Sequence, residues 1–241
     1  MKISVVIAAL NEIETIEECL KSIKNQTHKD FDIIVVDGYS KDGTYEKAKK
    51  YAKVYQMNAT GPGPARNCGV KKSNADIIAF TDADCIVPET WLETIAGDFD
   101  DKELLGVGGV FKPLNPRLLD RVMYKLNSDW IYRLSAFFRF YQFGTPNCAY
   151  RRDAFLDAGG FDENLSMFED TDLSIRMSKR GKVRFDKKLY VYNSVRRFQQ
   201  RGYFSVFMKY MGVYFNYFTG KGVKTDHFAT IRHKERMLSD K

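Results

Sequence analysis

Apolar and polar positions alternate along the chain in a rhythm that predicts strand, helix, strand, helix. Ile3 to Ala9 reads as a strand buried on both faces. Asn11-Glu12 follow, and then Ile13, Ile16, Leu20 and Ile23 mark the inner face of a helix. Phe31 to Val36 predicts a second buried strand, ending at Asp37. Gly38-Tyr39-Ser40-Lys41-Asp42-Gly43-Thr44 reads as a turn, with Asp42 capping a short helix over Thr44 to Tyr51. Val54 to Met57 is a weak third strand. Gly61-Pro62-Gly63-Pro64 breaks the chain before a helix starting near Ala65-Arg66-Asn67. Ile77-Ile78-Ala79-Phe80 predicts a fourth buried strand running straight into Thr81-Asp82-Ala83-Asp84-Cys85. This pattern is that of an α/β protein with a mostly parallel sheet flanked by helices.

The second half is less regular. Pro88 to Phe99 predicts a helix with Pro88 in its first turn. Leu104 to Phe111 is a glycine-rich strand, and Asn147 to Tyr150 another. Phe168-Glu169-Asp170-Thr171-Asp172-Leu173 opens a helix that ends at Gly181, and two short strands follow at Val183–Phe185 and Leu189–Tyr192. Aromatic residues gather in two segments, eight of 23 positions from Arg121 to Phe143 and nine of 21 from Phe198 to Phe218. Leu119, Val122, Met123, Leu126, Trp130, Leu134, Phe137 and Phe138 recur at helical spacing, with Arg121, Lys125, Arg133 and Arg139 beside them. Phe204, Phe207, Met208, Met211, Phe215 and Phe218 repeat the pattern around Lys209. Either stripe reads as a core face or as an amphipathic face lying in a membrane surface, and the gathering of aromatics favours the membrane.

Composition narrows this picture. At 241 residues the chain suits one domain, or one domain with an appendage. A net charge of +7, from 38 basic and 31 acidic residues, favours an anionic partner. Cys19, Cys68, Cys85 and Cys148 are far apart, which argues against a zinc site or a disulfide framework. The apolar start is too short for a signal peptide, and no run of 18 residues lacks charge, so a spanning helix is not expected. A cytoplasmic protein, peripheral on the inner face of the cell membrane, is the expected setting.

The candidate chemistry sits at strand ends. Asp82 and Asp84, two apart at the end of a buried strand, are expected to point the same way at the edge where ligands bind in α/β sheets. Paired carboxylates there suit Mn²⁺ or Mg²⁺ held together with substrate phosphates. Asp37, after the second strand, reads either as a nucleobase or ribose acceptor or as a turn aspartate. Arg66 either meets a phosphate or braces the aspartate cluster. Glu169 and Asp170 sit at a helix N-terminus, whose dipole favours their ionised forms, so Asp170 reads as a general base with Glu169 beside it. Asp172 and Arg176 are spaced for an intrahelical ion pair. Arg196, Arg197 and Arg201 form a basic patch, either offsetting charge on a departing diphosphate or facing solvent or lipid.

These pieces, in this order from Ile3 to Gly202, resemble the inverting family 2 glycosyltransferases with the GT-A fold. The matching motifs are Val5 to Glu12, Ile33 to Thr44, Ala65-Arg66-Asn67-Cys68-Gly69, Asp82-Ala83-Asp84 and Phe168 to Leu173 with Arg176 and Gly181. The first turn carries Ala8 and Leu10 where the family usually has a proline and an aromatic. Val191-Tyr192-Asn193 stands where a histidine is often found. The resemblance implies a nucleotide-sugar half over residues 1–112, an acceptor and catalytic half over 113–202, and an amphipathic, basic C-terminal segment over 203–241. It implies that Ala8, Ala9, Asn11, Glu12, Asp37 and Arg66 bind a UDP- or GDP-sugar. Asp82, Ala83 and Asp84 would hold the metal and diphosphate, and Asp170 would be the base. A hexose would pass by one in-line displacement to a lipid-linked or glycan acceptor. Two rivals are a sugar-1-phosphate nucleotidyltransferase, which would need a glycine-rich loop in place of Ala8-Ala9-Leu10-Asn11, and a non-enzymatic basic membrane- or nucleic-acid-binding protein. Nucleic acid is not expected, because acids at the strand ends repel phosphate.

Overall fold

The computed structural model describes residues 1–59, 61–126, 141–165 and 167–219. Seven strands, β1 (Ile3–Ala9), β2 (Phe31–Asp37), β3 (Lys53–Gln56), β4 (Ile77–Phe80), β5 (Leu104–Leu114), β6 (Cys148–Arg151) and β7 (Lys182–Ser194), form one sheet in the order β3-β2-β1-β4-β6-β5-β7. β6 is antiparallel to both neighbours, and the remaining pairs are parallel. Sequence reading splits β7 in two, because Asp186-Lys187-Lys188 interrupts its apolar run. The structure keeps it continuous and absorbs the polar residues in a bulge, where the pairing slips between Gly109–Asp186 and Val110–Tyr190.

Helices α1 (Ile16–Lys24), α2 (Thr44–Ala48), α3 (Pro62–Lys71), α4 (Trp91–Asp98), α5 (Leu118–Tyr124), α6 (Arg152–Asp157), α7 (Glu169–Arg180), α8 (Arg196–Arg201) and α9 (Tyr203–Phe218) complete the described chain. Side chains alternate along β1, so Val5 and Ile7 join one core with Ile16, Leu20 and Ile23 of α1 and Trp91 of α4. Val6 joins the other, with Val70 of α3, Phe155 of α6 and Leu173 of α7.

Several helix boundaries differ from the sequence expectation. Ile13 precedes α1, and α2 stops at Ala48. Gly61-Pro62-Gly63-Pro64 does not break the chain before α3 but supplies its cap and first turn, where proline's missing N–H has no acceptor to serve. α4 begins at Trp91 rather than Pro88.

One carboxylate draws α5, α8 and α9 together. Asp120 of α5, 2% exposed, accepts hydrogen bonds from Arg117 N–H (2.8 Å), Gln199 Nε2 of α8 (3.0 Å) and the Tyr203 hydroxyl of α9 (2.5 Å). α9 buries Val206 and Val213 and leaves Phe204, Phe207, Met208, Met211, Phe215 and Phe218 exposed, Phe204 by 77%. Leu118, Leu119, Val122 and Leu126 are exposed on or just after α5, while Met123 is half-buried. Trp130, Arg133, Leu134, Phe137, Phe138 and Arg139 lie outside the described residues. Among the described residues no helix is long and apolar enough to cross a membrane.

Candidate active site

β1 and β2 end side by side, with Ala9 opposite Asp37. Their loops are sewn together by short polar side chains. Asn11 N–H donates to Ser40 Oγ (2.8 Å), Lys41 N–H to Asn11 Oδ1 (3.0 Å), Glu12 N–H to Thr44 Oγ1 (2.8 Å) and Ile13 N–H to Asp42 Oδ2 (3.1 Å). Asn11 takes a left-handed φ of 54°, which asparagine tolerates better than most residues. Gly43 is the cap of α2, and Asp42 Oδ1 accepts from Thr44 N–H just behind it (3.0 Å). Ala8 is half-buried and Ala9 buried at the end of β1.

Asp37 serves the turn through one carboxylate oxygen and leaves the other unmatched. Its Oδ2 accepts from Ser40 N–H (3.0 Å) and Gln56 Nε2 (3.2 Å), as a turn aspartate does. Its Oδ1 is buried and accepts nothing among the described residues. A buried acceptor left unmatched costs about 1–3 kcal/mol, a cost removed when a ligand N–H or O–H arrives.

β4 stops at Phe80, so strand alternation does not set the direction of Asp82 and Asp84. They lie in a turn closed by Cys85 N–H donating to Asp82 O (3.1 Å). The turn still buries Ala83 and Cys85 and leaves both aspartates half-exposed.

Arg66 takes the bracing role. It is 4% exposed on α3, and its Nη2 donates to Asp82 Oδ1 (2.7 Å) while Nη1 donates to Glu169 Oε1 (2.9 Å). One guanidinium thus joins the β4 turn to the start of α7. The reach depends on Gly69, because a Cβ there would stand 2.5 Å from Val6 Cγ1 and lift α3 off β1.

Asp170 is held by Thr171 N–H on Oδ1 (2.7 Å) and by Thr145 N–H on Oδ2 (3.3 Å). Burial raises the Asp170 carboxyl against the lowering effect of its backbone hydrogen bonds and Arg66, and burial followed by the neighbouring Asp170 charge raises Glu169. Asp172 forms the intrahelical pair with Arg176, whose Nε donates to Asp172 Oδ2 (2.8 Å).

Arg196 Nη2 lies 3.6 Å from Asp84 Oδ2 and 3.8 Å from Glu12 Oε1. Glu12 is pushed up to about 7, first by burial and then by the Asp84 charge, with Asp82 adding to it. The β4 turn thus brings two carboxylates together, Asp82 beside Arg66 and Asp84 beside Arg196. Two hard, half-exposed carboxylates fit a divalent cation, although among the described residues no group of three or more His, Cys, Asp or Glu side chains is placed to hold a metal ion. Asn193 is half-buried near the end of β7. Arg201 is exposed at the far end of α8, and the Arg197 side chain lies outside the described residues.

Sequence reasoning missed the residues that support the site from behind. Asn147 is buried, accepts from Trp91 Nε1 (2.9 Å) and donates to Val110 O (2.9 Å) and Leu189 O (3.1 Å), fixing the turn that carries Thr145. Phe168 packs beneath Tyr214 and Tyr217 of α9. The spacing of Tyr210, Tyr214 and Tyr217, opposite the phenylalanine stripe, was the available signal.

Comparison with known proteins agrees with this geometry. The family described as Glycosyl transferase family 2 matches residues 4–158. Glycosyltransferase AglE of Haloferax volcanii is 36% identical over 108 aligned positions, which cover 39% of this chain and 36% of that protein. The structure of S. aureus TarS in complex with UDP-GlcNAc superposes with a TM-score of 0.65 at 27% identity, covering 80% of this chain and 58% of that one. Mannosyltransferase PcManGT from Pyrobaculum calidifontis, solved with GDP-Man and Mn²⁺, gives the same TM-score at 19% identity, over 80% of this chain and 57% of that one, a likeness of fold. The chain thus spans well under two thirds of these relatives. Its mixed seven-stranded sheet is the GT-A arrangement, and the chain belongs to glycosyltransferase family 2.

Proposed function

We propose that the chain is a metal-dependent inverting glycosyltransferase. It moves a hexose from a UDP- or GDP-linked donor to a hydroxyl or phosphate of a lipid-linked acceptor at the cytoplasmic face of the cell membrane. The observation that carries this reading is the Arg66 bridge, which sets the Asp82 turn and the Glu169-Asp170 turn in one fixed assembly. Asp82 and Asp84 are the residues to hold Mn²⁺ or Mg²⁺, which when bound would neutralise the leaving diphosphate. Asp37 Oδ1 receives a donor group of the nucleoside. Asp170 takes the proton of the acceptor hydroxyl as that oxygen bonds to the anomeric carbon. The bond from that carbon to the diphosphate breaks on the opposite side, so the configuration inverts. A raised carboxyl suits Asp170, since a base works best with its pKa near the working pH. Arg196, already beside Asp84, stands ready to meet charge on the departing nucleoside diphosphate.

The lipid acceptor rests on α5 and α9. Both expose large apolar residues, and on α5 these are interleaved in sequence with Arg117, Arg121 and Lys125, which are also exposed. Exposed apolar residues with cations among them match an anionic bilayer, where basic residues add about 1 kcal/mol each. The test offers UDP- and GDP-hexoses with Mn²⁺ to the protein, with polyprenyl phosphate in anionic vesicles or with soluble glycans. Metal-dependent transfer to the vesicle acceptor is expected. Equal use of soluble glycans, with no vesicle co-sedimentation, would overturn the membrane part. Full activity in EDTA would overturn the metal part.

A further inference from the structure

Phe168, the residue before Glu169 and Asp170, has a φ of 74°, a conformation that a bulky side chain rarely adopts unless its surroundings impose it. It also starts α7, because its carbonyl accepts the helix-opening bond from Asp172 N–H (2.9 Å). The direction in which Asp170 leaves the backbone therefore follows from how Phe168 is held. α9 does the holding. The Tyr214 ring stands edge-on to the Phe168 ring at 4.6 Å between centroids, and the Tyr217 ring lies tilted against it at 4.8 Å. The Tyr217 hydroxyl donates to Asp172 Oδ1 (2.8 Å), and the Tyr214 hydroxyl donates to Gln142 Oε1. Met167 and Val213 close the same small core. The helix grips both sides of the catalytic turn, at Phe168 before it and Asp172 after it.

We infer that Tyr214 and Tyr217 are positioning residues for the reaction, keeping Phe168 left-handed and so aiming the Asp170 carboxylate. This rests on Asp170 being the general base. If Phe168 relaxed to a negative φ, the first turn of α7 would re-form in a different register, and Asp170 would lose its bond from Thr145 N–H. A displacement of about 1 Å in a reacting group can cost roughly 10²-fold in rate.

The experiment measures kcat and KM for Tyr214→Leu, Tyr217→Leu, Tyr214→Phe and Tyr217→Phe, alone and combined with Asp170→Asn. The leucine variants are expected to lose kcat by roughly 10–10²-fold, with donor KM unchanged. The phenylalanine variants, which keep the rings, are expected to retain it. In the Asp170→Asn background the leucine changes should cost nothing further, since they act through a group already removed. Losses that multiply in that background, or leucine variants with full kcat, would overturn the inference. Near-normal turnover of Asp170→Asn alone would instead overturn the base assignment beneath it. Should the leucine variants not fold, Phe168→Ala decides, because alanine lacks the ring that the tyrosines hold while a positive φ still costs it. A fall in kcat with nucleotide binding intact supports the clamp, and an unchanged kcat removes it.

Discussion

In β1, Val5, Val6 and Ile7 are wholly buried, and the polar residues that follow, Asn11 and Glu12, are half-buried. In α9 the order is reversed, with Phe204, Phe207, Met208, Met211, Phe215 and Phe218 exposed and tyrosines facing the protein. Both segments carry regular apolar patterns, and the pattern alone does not say which side is the interior. What separates them is the company each face keeps. Val5 and Val6 lie between paired strands and beneath helices, whereas α9 has one inner face already satisfied by Phe168 and a second face left over. A helix with two differently filled faces has two surfaces to satisfy.

The largest losses are expected at the strand ends. Asp84→Asn is expected to abolish transfer while leaving the thermal midpoint near that of the parent. Asp82→Asn should abolish transfer and also lower the midpoint, because it removes one partner of the buried Arg66. Retained activity in both variants would mean that the β4 turn does not carry the chemistry. Asp170→Asn comes next, with turnover expected to fall on the order of 10²–10⁴-fold at unchanged donor affinity.

The outer surface of α9 gives smaller effects. Phe207→Ser and Phe215→Ser should each weaken binding to anionic vesicles by about tenfold or more, from the roughly 1.5–3 kcal/mol of burial each ring would lose. Thermal stability should hardly change. Val213→Ser, on the buried face of the same helix, should instead lower the midpoint. Loss of self-association rather than of vesicle binding in the phenylalanine variants would assign the face to a second copy of the chain.

The last effect is one of pH. Glu12 holds its proton more tightly folded, with a value near 7, than it does unfolded at 4.5. Between those values the folded state binds more protons, so stability falls as pH rises through that window. Glu12→Gln should remove this fall and gain on the order of 1–3 kcal/mol above pH 7. Denaturant titrations at pH 5 and pH 8 would reveal it, and equal slopes in parent and variant would exclude it.

The buried parallel strands were legible in the sequence, because a strand covered on both faces is a plain apolar run. Ile3–Ala9, Phe31–Asp37 and Ile77–Phe80 stand where their patterns place them. The positions of Asp37, Asp82 and Asp170 followed from those strands and from the α7 start. Less legible was anything that depends on one segment meeting another. The bond from Arg66 to Glu169 spans 103 positions of sequence, and the desolvation that raises Glu169 and Asp170 comes from packing. Gly61-Pro62-Gly63-Pro64 misled because the same residues suit a break and a helix start. The left-handed Phe168 had no sequence signal of its own.

The reversal of β6 has a consequence for how this chain can vary. Because β5 runs with β4 and β6 runs against both, the connection over residues 115–147 leaves and returns at the same edge of the sheet, the one carrying Asp82. β7, parallel to β5, delivers the chain to that edge again before α8. Length added to either connection would therefore accumulate over the edge that carries Asp82 and leave the opposite edge untouched. Under the proposed function, insertion and deletion there would revise the acceptor side without moving the strands that lead to Asp37 and Asp82.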